Sequence, residues 1–154
     1  MKTLFVLAIA VMSASAEEQC LQDAWKTYNQ GDYAAAIRFA DGCISNLHQQ
    51  AERNQAALMD HHEPEPPTGA VSDADKRKIF ARGVLNDTSA AYFVKGESAK
   101  ALAQRGGSRA REFRATARAA YEAAKKLTYG RVWDPNGWFW SPSEVAGDRL
   151  AILK

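Results

Sequence analysis

Residues 28–37 read YNQGDYAAAI, and this stretch decides the fold. Upstream of it, Leu21, Ala24, Trp25 and Tyr28 recur at three- and four-residue intervals, the spacing of one helix face. Gly31 ends that helix, because glycine adopts the left-handed backbone at helix ends without steric penalty. Asp32 offers a carboxylate to cap the next helix. Downstream, Ala36, Ile37, Ala40, Cys43, Ile44 and Leu47 form a second apolar stripe, with a helical continuation from His48 to Met59. Two helices joined by so short a turn make an antiparallel hairpin.

The cysteines test this hairpin. Facing residues in an antiparallel pair lie equally far from the turn, and Cys20 and Cys43 are equidistant from the Gly31-Asp32 step. They are therefore expected to form a disulfide at the open end. Closing a loop of this size stabilises the fold by about 3 kcal/mol in the chain-entropy model. A disulfide suits an exported protein, and the N-terminus agrees. MKTLFVLAIAVMSASA, residues 1–16, has an early lysine, a short apolar run and a terminal Ala14-Ser15-Ala16, the features of a cleaved signal peptide. Secretion or a periplasmic location is expected, with one domain over residues 17–154. No later segment is apolar enough to span a membrane.

Beyond Met59 the pattern breaks at Glu63-Pro64-Glu65-Pro66-Pro67-Thr68-Gly69, where prolines exclude regular helix. Residues 61–71 are read as a Pro-rich linker or surface loop. Ser72 or Asp73 caps a new helix through Phe80, and a long helix follows from about Val84 to Gln104. Gly106-Gly107 end it, and Ser108 begins another, through Phe113, Ala117, Tyr121 and Ala124 to about Leu127. Ser141-Pro142-Ser143-Glu144 then has the form of a helix start: Ser as N-cap, Pro in the first turn and Glu able to complete a capping box. A capping helix carrying Val145, Leu150 and Ile152 is expected to shield the second hairpin.

Gly-Asp-Tyr after a helix ending in Tyr28, followed by Ala36, closely resembles the centre of a tetratricopeptide repeat (TPR). The second hairpin resembles it more loosely, through Tyr92 and Gly96 in one helix and Ala117, Tyr121 and Ala124 in the next. The resemblance covers residues 18–47 and 84–127 and implies an all-α fold of TPR-like hairpins, α-solenoid-like, with the capping helix and an aromatic loop at the C-terminal end. It also implies a non-catalytic module that binds or scaffolds a protein or peptide partner. Such hairpins generally line a concave face, which nominates Trp25, Tyr28, Tyr92, Lys95 and Lys100.

Charge is divided unevenly. Residues 17–75 carry eleven acidic and three basic side chains, residues 76–131 four acidic and fourteen basic. Arg111, Arg114 and Arg118 share roughly one helical face, suiting an anionic partner or glycan, although such a stripe is usually the solvated side of an amphipathic helix. Nucleic acid is not expected as a partner, since no recognition motif is present. Asp60-His61-His62-Glu63 has metal-ligand residue types, but adjacent histidines on a helix diverge, so neither a metal nor another cofactor is expected. No nucleophile–base motif marks an enzyme, and a small hydrolase stands only as a third reading after partner binding and envelope or sugar binding. Asn86-Asp87-Thr88 is formally a glycosylation acceptor placed at the start of a helix.

The last motif is WDPNGWFW, residues 133–140. Asp134-Pro135-Asn136-Gly137 reads as a turn, so that Trp133 and Trp138 flank a reversal rather than lying along a strand. The rings are expected to fill grooves over the Ala-rich hairpin. Whichever of Trp138 and Trp140 stays exposed remains a candidate for stacking on sugars or at a cell-envelope surface.

Overall fold

The computed structural model describes residues 16–153. The signal peptide expected over residues 1–16 lies, but for its last residue, outside them. Among the described residues six helices and one two-stranded ribbon form: α1 Ala16–Asn29, α2 Tyr33–Asp60, α3 Asp73–Phe80, α4 Gly83–Gln104, α5 Ala110–Lys126, β1 Val132–Asp134, β2 Trp138–Trp140 and α6 Pro142–Ile152. No described helix is long and apolar enough to cross a membrane.

The first hairpin turns where the sequence predicts. Gly31 takes φ 78°, and the Asp32 carboxylate accepts the Ala35 amide at 3.0 Å. Ala24, Ala36 and Ala40 are buried where α1 meets α2, and their small side chains let the backbones approach. Cys20 and Cys43 form the disulfide, with Cα atoms 5.6 Å apart. At 28 residues α2 is twice as long as α1, so its second half reaches past its partner. There Ala51 and Leu58 pack with Leu85, Leu127 and Tyr129. Gln55 donates to the Thr128 hydroxyl and accepts the Tyr129 amide.

The central element is α4, which packs against α1, α2, α3, α5, α6 and β1. Thr88, Ser89, Ala90 and Ala91 are all buried. Because successive helical residues are rotated by about 100°, four buried in a row enclose the helix on all sides. Only small or self-satisfied side chains allow this. Thr88 and Ser89 return their hydroxyls to the Val84 and Asn86 carbonyls. Gly96 lies so close to α5 that a Cβ there would sit 2.6 Å from the Tyr121 ring.

Three expectations need correction. Ser108 does not cap α5, which begins at Ala110 after Arg109 with no side-chain cap. Ile152 points to solvent, 68 % exposed, and Leu153 packs against the core beside Val145 and Leu150 instead. The aromatic stretch is not a loop: Trp133 and Trp138 flank the reversal, but both lie in strands, paired Val132↔Trp140, Trp133↔Phe139 and Asp134↔Trp138. The turn itself forms as read, with Gly137 at φ 100° and its amide donating to the Asp134 carbonyl at 2.9 Å. Strands of three residues are too short to display a period-two pattern, and the turn chemistry closes them into a ribbon.

The Pro-rich segment is a strap fixed at three points. Tyr129 donates its hydroxyl to the Glu63 carbonyl, Arg131 donates to the Pro66 carbonyl, and Gly69 exchanges backbone hydrogen bonds with Phe139. Arg131 is 3 % exposed and also reaches the Thr128 and Gly130 carbonyls at 2.8 and 2.7 Å. Desolvation lowers its pKa, yet a guanidinium remains charged, and here backbone dipoles rather than a carboxylate satisfy it. Finally, Ser141 caps α6 as predicted, its hydroxyl accepting the Glu144 amide at 3.3 Å. Ser143 ties that helix to the end of α5 through the Lys125 carbonyl at 2.7 Å.

Candidate functional site

The ribbon sorts its side chains by strand alternation. Opposed residues in an antiparallel pair share a face, and so do residues two apart. Val132, Asp134, Trp138 and Trp140 therefore project one way, Trp133 and Phe139 the other. Phe139, 1 % exposed, is the plug. Its ring meets Trp133 and Phe80 edge-on, with centroids 4.8 and 5.4 Å away. The opposite face opens on a cleft of about 710 Å³.

Four elements build this cleft. The ribbon contributes Trp138, Trp140, Val132 and Asp134; α1 contributes Trp25 and Asn29, one turn apart and hence on one side of the helix. Phe93 of α4 and Val145 of α6 contribute as well, and Trp140 meets Phe93 edge-on at 5.0 Å. Trp133 reaches the cleft from the ribbon's other side, and Pro135 lies on the turn. All four tryptophans of the chain thus converge on one opening. Trp138 is 40 % exposed and Trp140 is half-buried. Among the described residues the only charged lining group is Asp134. Its Oδ1 accepts the Asn136 backbone amide and the Asn136 side-chain amide, both at 2.8 Å.

The other nominated residues are dispersed. Tyr28 is half-buried against Ala24, Ala36 and Ala40, and burial raises its pKa. Lys95 is bound to Asp41 at 2.6 Å. Lys100 bonds the Glu97 carboxylate at 3.1 Å, and that same carboxylate accepts from Tyr121 Oη at 2.5 Å and Arg149 Nε at 2.7 Å. Burial alone would raise the Glu97 pKa, but these donors outweigh it and hold the carboxyl below its usual value. Tyr121 is correspondingly pushed up, by desolvation first and by Glu97 second. Lys95 and Lys100 are thus occupied within the fold.

Tyr92 lines a separate groove of about 520 Å³ between α2 and α5. Its hydroxyl lies 3.0 Å from His48 Nδ1, and His48 Nε2 lies 3.4 Å from Glu52. Burial, then Glu52 and Asp41, raise the Tyr92 pKa. No serine or cysteine lines this groove. Arg111, Arg114 and Arg118 are exposed on α5. Arg118 donates to the Leu153 carbonyl at 3.2 Å, and Arg114 borders a hollow of about 300 Å³ with Lys100 and Arg149.

Other sequence candidates have plain positions. His61 and His62 are exposed where α2 ends, and among the described residues no three His, Cys, Asp or Glu side chains converge as a metal site. Asn86 is buried, donating to the Ile79 carbonyl at 2.7 Å and accepting the Arg131 amide at 3.0 Å. Its side-chain amide is thus committed within the fold. Sequence reasoning missed Asn29, Phe93 and Val145 as site residues, because they join the ribbon's tryptophans only through tertiary packing, and Val132, whose side is set by the strand pairing. No family model, curated protein or solved structure matches the chain.

Proposed function

We propose that the protein is an exported, non-catalytic binding module whose ligand occupies the four-tryptophan cleft, carried on two TPR-like hairpins. The observation that carries this reading is the convergence of Trp25, Trp133, Trp138 and Trp140 on one concave opening. Its volume lies within the about 300–1,000 Å³ of ligand sites, and aromatic walls with few polar groups are the usual lining of such sites. Export is supported by the Cys20–Cys43 disulfide. The TPR-like reading is supported by the packing of Gly96 against Tyr121, two of the five positions that carry the resemblance in the second hairpin. Partner binding through Lys95 and Lys100 is less well supported, since both are already paired internally.

Affinity capture from the native exported compartment tests the reading, with the wild type and Trp138→Ala as parallel baits. Trp138 is the exposed ring of the cleft, so its removal leaves the core intact. A ligand or partner held by the wild type and lost from the variant is the expected result. Identical captures from both baits would refute the cleft as the binding site.

A further inference from the structure

We infer that the ligand group taken by this cleft is an organic cation of the quaternary ammonium class, N(CH₃)₃⁺ on a small solute or headgroup. The inference rests on the cleft being a binding site and adds the chemistry of its occupant. Indole faces carry negative potential and attract a cation whose charge is spread over methyl groups. Trp25, Trp138 and Trp140 supply such faces and Phe93 adds a benzene ring, while no lysine or arginine is among the described lining residues.

Asp134 is the second, independent feature. The turn fixes its carboxylate, since Oδ1 holds the backbone and side-chain amides of Asn136. Oδ2 makes no hydrogen bond among the described residues. A carboxylate without a cation partner, set among aromatic rings, is the complement of a weakly hydrated positive charge. Among the described residues Trp133 already holds a cation, Lys76 Nζ lying 4.0 Å from its centroid, which leaves the Trp25, Trp138, Trp140 and Phe93 rings to a guest. Lys76 itself does not line the cleft.

Competing guests fit less well. A sugar needs several directional hydrogen bonds, and the lining offers only the Asn29 and Asp134 side chains besides indole N–H groups. An anion would meet the Asp134 charge. A hydrocarbon would strip water from that carboxylate without replacing it, which is costly. A quaternary ammonium needs no hydrogen-bond partner, and its methyl groups match the apolar walls.

Choline and its neutral isostere, the dimethylbutanol in which carbon replaces nitrogen, form the test. Both are titrated into the folded protein by calorimetry and tryptophan fluorescence. Choline is expected to bind, and the isostere to bind about tenfold more weakly or not at all, the factor a desolvated cation–π and carboxylate contact supplies. Asp134→Asn keeps an acceptor for the turn and is expected to weaken choline about fivefold or more; Trp138→Ala should abolish the fluorescence response. Vesicles bearing phosphocholine headgroups, against free choline, separate a lipid source from a solute. Equal binding of choline and isostere, or an unchanged affinity in Asp134→Asn, overturns the cation while leaving the cleft a binding site. No choline binding at all also overturns it, and the paired capture with Trp138→Ala then judges the binding-module reading by itself.

Discussion

Replacing Glu97 by Gln removes one charge from the junction of α4, α5 and α6 at almost constant volume. In the wild type the carboxylate accepts from Tyr121, Arg149 and Lys100, and Glu97 is 8 % exposed. A hydrogen bond to a charged group contributes about 1.5–3 kcal/mol, and removing one partner of a fully buried ion pair costs about 3–5 kcal/mol. Arg149 and Lys100, whose side chains are 34 % and 23 % exposed, can regain water, which discounts the upper figure. The Gln oxygen still accepts one bond. The net loss is about 2 kcal/mol, or a drop in melting temperature of roughly 4–8 °C for a domain of this size. The pH dependence gives a second reading. Because the folded pKa is lowered, the stabilisation is fully present above the unfolded carboxylate value of about 4.3 and is lost as pH falls through the folded one. The gap between wild type and Glu97→Gln in thermal melts should therefore narrow in acid. Equal melting at neutral pH, or a gap that does not change into acid, would refute this account of the network.

Gly96→Ala places a Cβ 2.6 Å from the Tyr121 ring and should destabilise by about 1–3 kcal/mol in urea unfolding. Gly42, exposed on α2 with open space around it, is the control, and Gly42→Ala should stabilise by up to about 1 kcal/mol. Arg131→Met leaves the Pro66, Thr128 and Gly130 carbonyls without their donor, and its expected signature is faster proteolytic cleavage within residues 63–69. Paired Cys20→Ser and Cys43→Ser substitutions should lower unfolding stability by about 3 kcal/mol, matched by the wild type under reductant; stabilities equal within error would contradict the closed hairpin.

Local chemistry was legible in the sequence and tertiary convergence was not. Gly31, Asp32, Ser72 and Ser141 each act within a few residues of themselves, so helix boundaries could be read from them, and the disulfide followed from hairpin symmetry alone. Trp138 and Trp140 were identifiable as a pair, but their alternation with Phe139 became visible only once Gly69 and β1 paired with their strand. Trp25 was nominated for another surface and meets the ribbon only because α1 and the ribbon both pack beside α4. Lys95 looks like a free surface charge in sequence, and its partner Asp41 lies on another helix; the Glu97 partner of Lys100 is one turn away, but its links to Tyr121 and Arg149 exist only in the folded chain. Arg131 shows the same limit most sharply, since nothing near it in sequence separates a buried knot of carbonyl bonds from one more basic residue in a positive half.

The enclosure of α4 has a consequence for how the molecule opens. A helix surrounded over its whole circumference cannot detach without taking its neighbours, so the backbone amides from Thr88 to Ala99 should exchange with solvent hydrogen only through global unfolding. Ends such as the last turn of α6 can exchange by local fraying. Phe93 belongs to both worlds, rooted in α4 and lining the cleft. A ligand that binds only the folded state slows every globally limited amide by the same factor, set by its concentration over its dissociation constant. Occupancy of the cleft would thus be recorded in the protection of buried amides along α4, many of which the ligand never touches.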